Sequence, residues 1–372
     1  MNFEIKPYVS KKLKCDIPVV SKFYDGINND NNIFEQNYLK LPYKDYDLNS
    51  NFKPILNYRY ASKISTIKWN KSYIHLFLVS SLDGTFDVWN LHKLSSVQRF
   101  IMKKGIAKAI WSYDNRNVIS INYEKRLDIF DIEKGVNKLN YEHDKYLTSL
   151  INHPTDSNII ITGSKNEILA WDLRKKLDNP IKYYRFLFGQ SLDTIFLPNN
   201  EIFINSGDLI SQSADEPNLL AWDFKSAAIV SNQIYKEKYS CPKLLTENTG
   251  HPAKFYAQTN GNYIAIFSVR PPYKMNKRKR FQGGHTVDGF SVDMDQTPNS
   301  KYLISGSSDG KIYIYNSNTT SLFSSLDLNS RDGSWNSKNP DSKAITALSI
   351  HPNYSSLVGV GDFGGNLRLI TI

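Results

Sequence analysis

The sequence predicts an all-β chain folded as a ring of seven four-stranded sheets, and three observations carry that expectation. The first is a recurring pattern, a turn followed by alternating apolar residues that end on an aromatic and a small polar or acidic residue. Seven copies align: LDGTFDVWN with Trp89, EKRLDIFD with Phe130, KNEILAWD with Trp171, NLLAWD with Trp222, NGNYIAIFS with Phe267, SDGKIYIYN with Tyr315, and GGNLRLIT with Ile370 in the aromatic's place. The second is their spacing of 41, 41, 51, 45, 48 and 55 residues. That is the period of four-stranded propeller blades, about 40 to 50 residues, and excludes helical solenoids with repeats of about 33 or 34. The third is that no useful length of the chain carries helical periodicity.

Each copy follows two further strand-like runs, as in Ile64 to Trp69 (ISTIKW) then Leu76 to Ser81 (LFLVSS), or Tyr146 to Ile151 (YLTSLI) then Ile159 to Ser164 (IIITGS). Asp83-Gly84, Asn260-Gly261 and Asp309-Gly310 read as hairpin turns whose glycine takes a positive φ. The seventh copy ends at Ile370, two residues before Ile372, which leaves no outer strand for that blade. An open sheet edge invites aggregation, so the strand must come from elsewhere. Pro54 to Tyr60 (PILNYRY), just ahead of the first blade, is expected to supply it and join the two ends of the ring. The resulting division is a flexible arm over 1–50 and a seven-bladed propeller over 51–372. Asn329 to Lys343 reads as a surface insertion between blades six and seven.

Composition fits a large apolar core, with 40% hydrophobic and 13% aromatic residues in 372. Two cysteines, Cys15 and Cys241, are too few for a disulfide framework or a cysteine zinc site, which points to a reducing compartment. The opening MNFEIKPYVSKKLK has no apolar core of signal-peptide length. The most apolar run, Tyr73 to Leu82, has ten residues, short of the ~20 that cross a bilayer, so no membrane partner is expected.

The blade endings carry a resemblance. Trp171-Asp172 and Trp222-Asp223 are intact WD dipeptides, and Gly284-His285 precedes SGSSDG over Ser305 to Gly310. These are similar to degenerate WD repeats, and the resemblance implies a structural hydrogen-bond network of His285, Ser305, Asp309 and Tyr315, tyrosine standing where tryptophan is usual. From Leu219 to Ser291 the chain reads LLAWDFKSAAIVSNQIY, FYAQTNGNYIAIFS and PPYKMNKRKRFQGGHTVDGFS, and this stretch resembles the WD repeat-containing protein 25 family, a relative of the spliceosomal pre-mRNA-processing factor 17. PYVSKKLK over Pro7 to Lys14 is similar to a basic segment ahead of the repeats in that family, and Pro7, Tyr8, Lys11, Lys12 and Lys14 are a second candidate contact site. The resemblance implies a nuclear, splicing-related context; the cysteine usage leaves the cytoplasm as the other location, and the chain is expected to work as a monomer within a larger assembly.

One charge cluster stands apart. Arg270, Lys274, Lys277, Arg278, Lys279 and Arg280 supply six positive charges with no acidic residue among them, more than half of the net +10. A basic run of this density fits phosphates of RNA or ribonucleoprotein, or an acidic protein. It also fits protection of an outer edge strand, since Asn276 to Phe281 falls where blade five's last strand should be, and nuclear targeting. Asp83, Asn166, Asp215, Asn260, Asp309 and Asp362 are further candidate contacts at turns. Trp171-Asp172-Leu173-Arg174 resembles the box by which some propellers dock on cullin-4 ubiquitin ligases, so Arg174 carries the alternative reading of a ligase substrate receptor.

No catalytic, metal or cofactor site is expected. Gly359, Gly361 and Gly364 fit G-x-G-x-x-G, but a strand follows where a phosphate-binding loop needs a helix. His153, His251 and His351 each precede proline between strands and mark a turn element rather than metal ligands. The expected function is a non-enzymatic interaction scaffold.

Overall fold

The computed structural model describes residues 52–175, 179–208, 217–232, 234, 235, 237–328 and 343–372. The expected arm, most of the insertion before blade seven, Cys15 and Asp215 lie outside the described residues, as do Lys11, Lys12 and Lys14.

Every regular element among the described residues is a strand, and the strands form seven antiparallel sheets. Blade one shows the plan. Ile64–Trp69, Leu76–Ser81, Thr85–Asn90 and Ser95–Ile101 pair in chain order from the ring's axis outward. Its second strand is buried at all six positions, because both of its faces press on neighbouring blades; the fourth is largely exposed. The core is accordingly a set of slabs between successive blades. Ile119, Leu127 and Ile129 of blade two pack with Leu150, Ile160 and Trp171 of blade three, and Ile304 and Ile314 of blade six with Leu348 and Val358 of blade seven.

Blades three and four depart from the plan. Ile159–Asp172 is one 14-residue run that doubles back at Asn166, where φ is +64°, so it supplies two strands of blade three. Lys182–Phe196 then serves both blades: Lys182 to Arg185 pair with Ala170 to Glu167, and Ser191 to Phe196 with Gly207 to Phe203. The two blades therefore share a continuous ladder, and no turn separates them.

The ring closes as the sequence suggested, displaced by one residue. Lys53–Arg59 pairs antiparallel with the last strand, Asn366–Thr371, from Lys53 opposite Thr371 to Arg59 opposite Asn366, and the Tyr60 amide donates to the Gly365 carbonyl at 2.7 Å. Pro54 sits at a register shift on this outer strand, where its missing N–H breaks no interior ladder. Blades seven and one meet directly. Trp69 Nε1 donates to the Ser349 carbonyl at 3.2 Å, and Thr346 Oγ1 to the Ile64 carbonyl at 2.9 Å.

The turn expectations hold at two positions and fail at a third. Gly84 and Gly310 have φ of +88° and +82°. At the Asn260 turn the positive φ, +61°, belongs to Asn262 instead. Gly261 is needed there for space: a Cβ would lie 2.8 Å from the rings of both Tyr239 and Tyr263. The G-x-G-x-x-G run forms a strand and a hairpin, from Leu357–Asp362 into Asn366–Thr371.

Candidate functional site

Blade five ends on Met275–Phe281, whose residues Asn276 to Arg280 are all exposed. In blades one, two, four and six the outer strand carries one surplus residue where it passes the blade's aromatic: Val88 faces Gln98 and Trp89 faces Ser96, for example. In blade five Ala265 faces Arg280 and Phe267 faces Met275, so Asn276 to Lys279, four residues, stand opposite Ile266 alone. The surplus of three throws the basic run outward as a bulge. Asn276 holds it: its Oδ1 accepts from the amides of Arg278 and Lys279, both at 3.0 Å. A bulge of this size cannot template another strand, so the edge is protected by shape as well as by charge.

The bulge roofs a cavity of about 640 Å³ in the side wall of the ring, lined by Ile234, Glu237, Tyr263, Ala265, Lys274, Met275, Asn276, Lys277 and Arg280. Its floor belongs to the apolar slab between blades four and five. Arg280 lies with its guanidinium carbon 4.8 Å from the centre of the Tyr263 ring, and its Nε donates to Gln282 Oε1 at 2.6 Å. The Tyr263 hydroxyl donates to the Glu237 carboxylate and shares a 2.7 Å hydrogen bond with the Tyr235 hydroxyl. Burial, and then Glu237, push the Tyr263 phenol upward, so it stays a neutral donor. Among the described residues no carboxylate forms an ion pair with Lys274, Lys277, Arg278, Lys279 or Arg280. Their charge is available to a partner.

The other candidates are engaged within the fold. In blade six, His285 Nδ1 and the Tyr315 hydroxyl are 2.7 Å apart. His285 Nε2 meets Gln258 Nε2 at 2.9 Å, and Ser305 Oγ donates to Gln258 Oε1 at 3.4 Å. Asp309 does not join them; its carboxylate takes the Tyr313 hydroxyl at 2.8 Å. The expected four-member network is corrected in two ways: Gln258 of blade five bridges His285 to Ser305, and Asp309 binds a different tyrosine. Burial lowers the His285 pKa to about 4, which keeps the imidazole neutral, and raises that of Tyr315 to about 12.

In blade three, buried Trp171 donates to Thr162 Oγ1 at 2.9 Å. Asp172 is gripped by Arg174 through Nε at 2.8 Å and Nη2 at 2.9 Å, and these bonds hold its carboxyl below the usual range. Arg174 is thus exposed but already folded onto Asp172, two blades away from the basic bulge. Trp222 is buried in blade four, and Asp223 accepts from the Ser226 amide at 2.6 Å and its hydroxyl at 2.7 Å. Of the turn residues, Asp362 is fully buried with its carboxylate on the Asn366 amide at 2.7 Å, so it presents nothing to a partner. Asp83 caps Thr85 and Ala61, at 2.8 and 3.0 Å. The His-Pro elements differ: Nδ1 of His153 and of His351 accepts from the amides two and three residues on, whereas His251 is exposed.

Two features were not legible in the sequence. Glu237 and Ile234 join the basic run only because the blade four to five connection folds beneath it. The ring's axis holds a second group, in a space of about 100 Å³ bordered by the innermost strands. There Lys108 of blade two reaches Asp193 of blade four at 2.7 Å, and Lys243 of blade five reaches Asp293 at 3.1 Å and Asp193 at 4.0 Å. Burial would raise the Asp193 pKa, but the two ammonium groups outweigh it and hold the carboxylate ionised.

Seven four-stranded blades, WD dipeptides at the ends of two third strands and a His–Tyr pair locking another define a WD-repeat β-propeller. A model of the WD domain, G-beta repeat, matches residues 276–316, which run from the basic bulge to the end of blade six's third strand. Within that class the chain resembles the WD repeat-containing protein 25 family. It is 30% identical to WD repeat-containing protein 25 of Mus musculus over 365 residues, 95% of this chain and 62% of that protein. Pre-mRNA-processing factor 17 of Homo sapiens is 24% identical over 256 residues, 67% of this chain and 42% of that protein; the Saccharomyces cerevisiae form is 24% identical over 290 residues, 76% and 59%. The chain thus spans less than two thirds of the length of each of these relatives.

Proposed function

We propose that this propeller is a non-enzymatic scaffold of a nuclear pre-mRNA-processing assembly, within which it acts as a monomer and touches RNA or ribonucleoprotein through the basic bulge of blade five. The observation that carries the reading is the bulge: Lys277, Arg278 and Lys279 lifted off the sheet and anchored by Asn276, with Arg280 beside them back in the ladder opposite Ala265, all four without a carboxylate partner among the described residues. A sequence that needed only to protect an edge would not require this enlargement, since a lysine or a one-residue bulge suffices in the other blades. Likeness to pre-mRNA-processing factor 17 supports the processing context.

The test is purification of the full chain from nuclear extract, with and without Lys277, Arg278, Lys279 and Arg280 replaced by Ser. Wild-type protein should bring down RNA-processing components in an association that weakens with salt and with ribonuclease, and the fourfold variant should lose it while keeping its melting temperature. An undiminished association of the variant removes the bulge from the function. Recovery of a cullin-4 adaptor, lost on Arg174→Ala, would instead favour the ligase receptor.

A further inference from the structure

We propose that the cavity beneath the blade five bulge is a nucleotide pocket for single-stranded RNA, taking an amino-bearing base against Ile234, Ala265 and Met275 beside Tyr263, with Glu237 as its hydrogen-bond acceptor and Lys277 and Arg280 on the flanking phosphates. The inference rests on the preceding reading that the bulge meets RNA, and it adds which part of the RNA enters, and why.

Size is the first argument. A phosphate held by surface lysines needs no cavity, whereas about 640 Å³ lies within the range of small-molecule sites and exceeds a single base with room for its ribose. The lining is the second. The floor is apolar and aromatic, Tyr263 being 5% exposed, and the cations Lys274, Lys277 and Arg280 stand on the same wall as the bulge. An apolar slot rimmed by cations matches a nucleotide, whose base is flat and poorly hydrated on its faces while its phosphates are charged.

A carboxylate also lines the pocket. Glu237 Oε2 accepts from the Tyr263 hydroxyl, and among the described residues Oε1 has no partner. A carboxylate inside a basic pocket repels the aspartate, glutamate or phosphoserine of an acidic peptide. It attracts the exocyclic amino group of cytosine, adenine or guanine. Uracil offers no amino group, and its single N–H lies between two carbonyl oxygens that face the carboxylate unfavourably. The preference for amino-bearing bases therefore belongs to Glu237, and the overall affinity to the cations.

The experiment measures binding of fluorescently labelled rC10, rA10 and rU10, and of a ten-residue polyglutamate peptide, to the full chain over a range of salt. The expected result is tighter binding of rC10 and rA10 than of rU10, by about tenfold, with little peptide binding. Glu237→Gln keeps an oxygen for Tyr263 and should erase the preference while leaving the salt dependence unchanged. Lys277→Ser with Arg278→Ser should weaken all three oligonucleotides alike and reduce the salt slope by about 1 per cation removed. Met275→Trp, which fills the cavity from its partly exposed wall, should lower rC10 binding to the level of rU10. If the bulge variant weakens RNA binding but Glu237→Gln and Met275→Trp leave the base preference as it was, the pocket is overturned and the RNA-binding bulge survives. If polyglutamate binds as tightly as RNA, or no RNA binds at all, both readings fall and the bulge is a dock for acidic protein.

Discussion

The Tyr60 hydroxyl, at the end of the segment that closes blade seven, donates to the Asp87 carboxylate in the heart of blade one at 2.7 Å. The same oxygen accepts from Trp89 Nε1 at 2.9 Å, and Arg99 clasps Asp87 through Nε at 2.7 Å and Nη2 at 2.8 Å. The strand that completes the last blade is thus keyed into the first. Tyr60→Phe leaves a buried indole N–H without its acceptor and removes one donor from a buried carboxylate, and should cost about 1–3 kcal/mol in urea unfolding. A change under about 0.5 kcal/mol would mean that water replaces the phenol and that the key is not structural.

Closure can be tested independently of that hydroxyl. Gly365 has φ of +87°, and a Cβ there would lie 2.5 Å from the Tyr60 carbonyl. Gly365→Ala should therefore loosen the hairpin and the closing strand together and lower stability by 2 kcal/mol or more, on the order of other strained positive-φ positions. Removing residues 1–60 should expose the edge of Asn366–Thr371 and cause aggregation, while removing 1–48 should not. Equal behaviour of the two truncations in light scattering and thermal melts would contradict the closure.

The axial ion pairs carry a third prediction. Asp193→Ala strands Lys108 in a buried site, leaves Lys243 with Asp293 alone, and removes the acceptor of the Leu244 amide, bonded at 3.0 Å. The expected loss is about 3–5 kcal/mol, far more than for a surface pair such as Lys225–Glu201. Mutating Glu201 to Gln should change unfolding by less than about 1 kcal/mol, so equal effects at the two sites would refute the distinction.

Acid should destabilise the ring through its buried imidazoles. His285 and His351 have their pKa lowered from 6.5 to about 4, in both cases by burial. The unfolded chain then binds protons first, so each contributes stability above pH 6.5 that is lost as pH falls toward 4, about 3 kcal/mol apiece. Asp362 opposes this: burial raises its pKa from 3.8 to about 6, so its folded form takes up a proton first and gains stability as pH falls from 6 to 3.8. Asp362→Asn keeps an oxygen for the Asn366 amide and should make the acid loss steeper. NMR titration should find both imidazoles neutral at pH 5; protonation there, or an unaltered profile for Asp362→Asn, would defeat the assignment.

The repeat and the all-β class were legible because most strand ladders are local: blades one to six are each built from consecutive residues, whose apolar pattern and turn glycines state the strands directly, and the closing segment near Pro54 to Tyr60 was legible as a strand-like run left over ahead of blade one. The basic run was legible too, together with its place on an outer strand. What the linear order could not convey is how far that strand would swell. The bulge at Asn276 to Lys279 depends on which residue of Tyr263–Ser268 each partner faces, a register set by packing across the sheet. Likewise Gln258 displaces Asp309 at His285, and Glu237 enters the cavity, through contacts between different blades or connections. Short-range pattern determined that this chain makes blades and where they begin. Only the tertiary structure decided which side chains meet between them, because those meetings join residues tens or hundreds of positions apart whose proximity comes from ring closure.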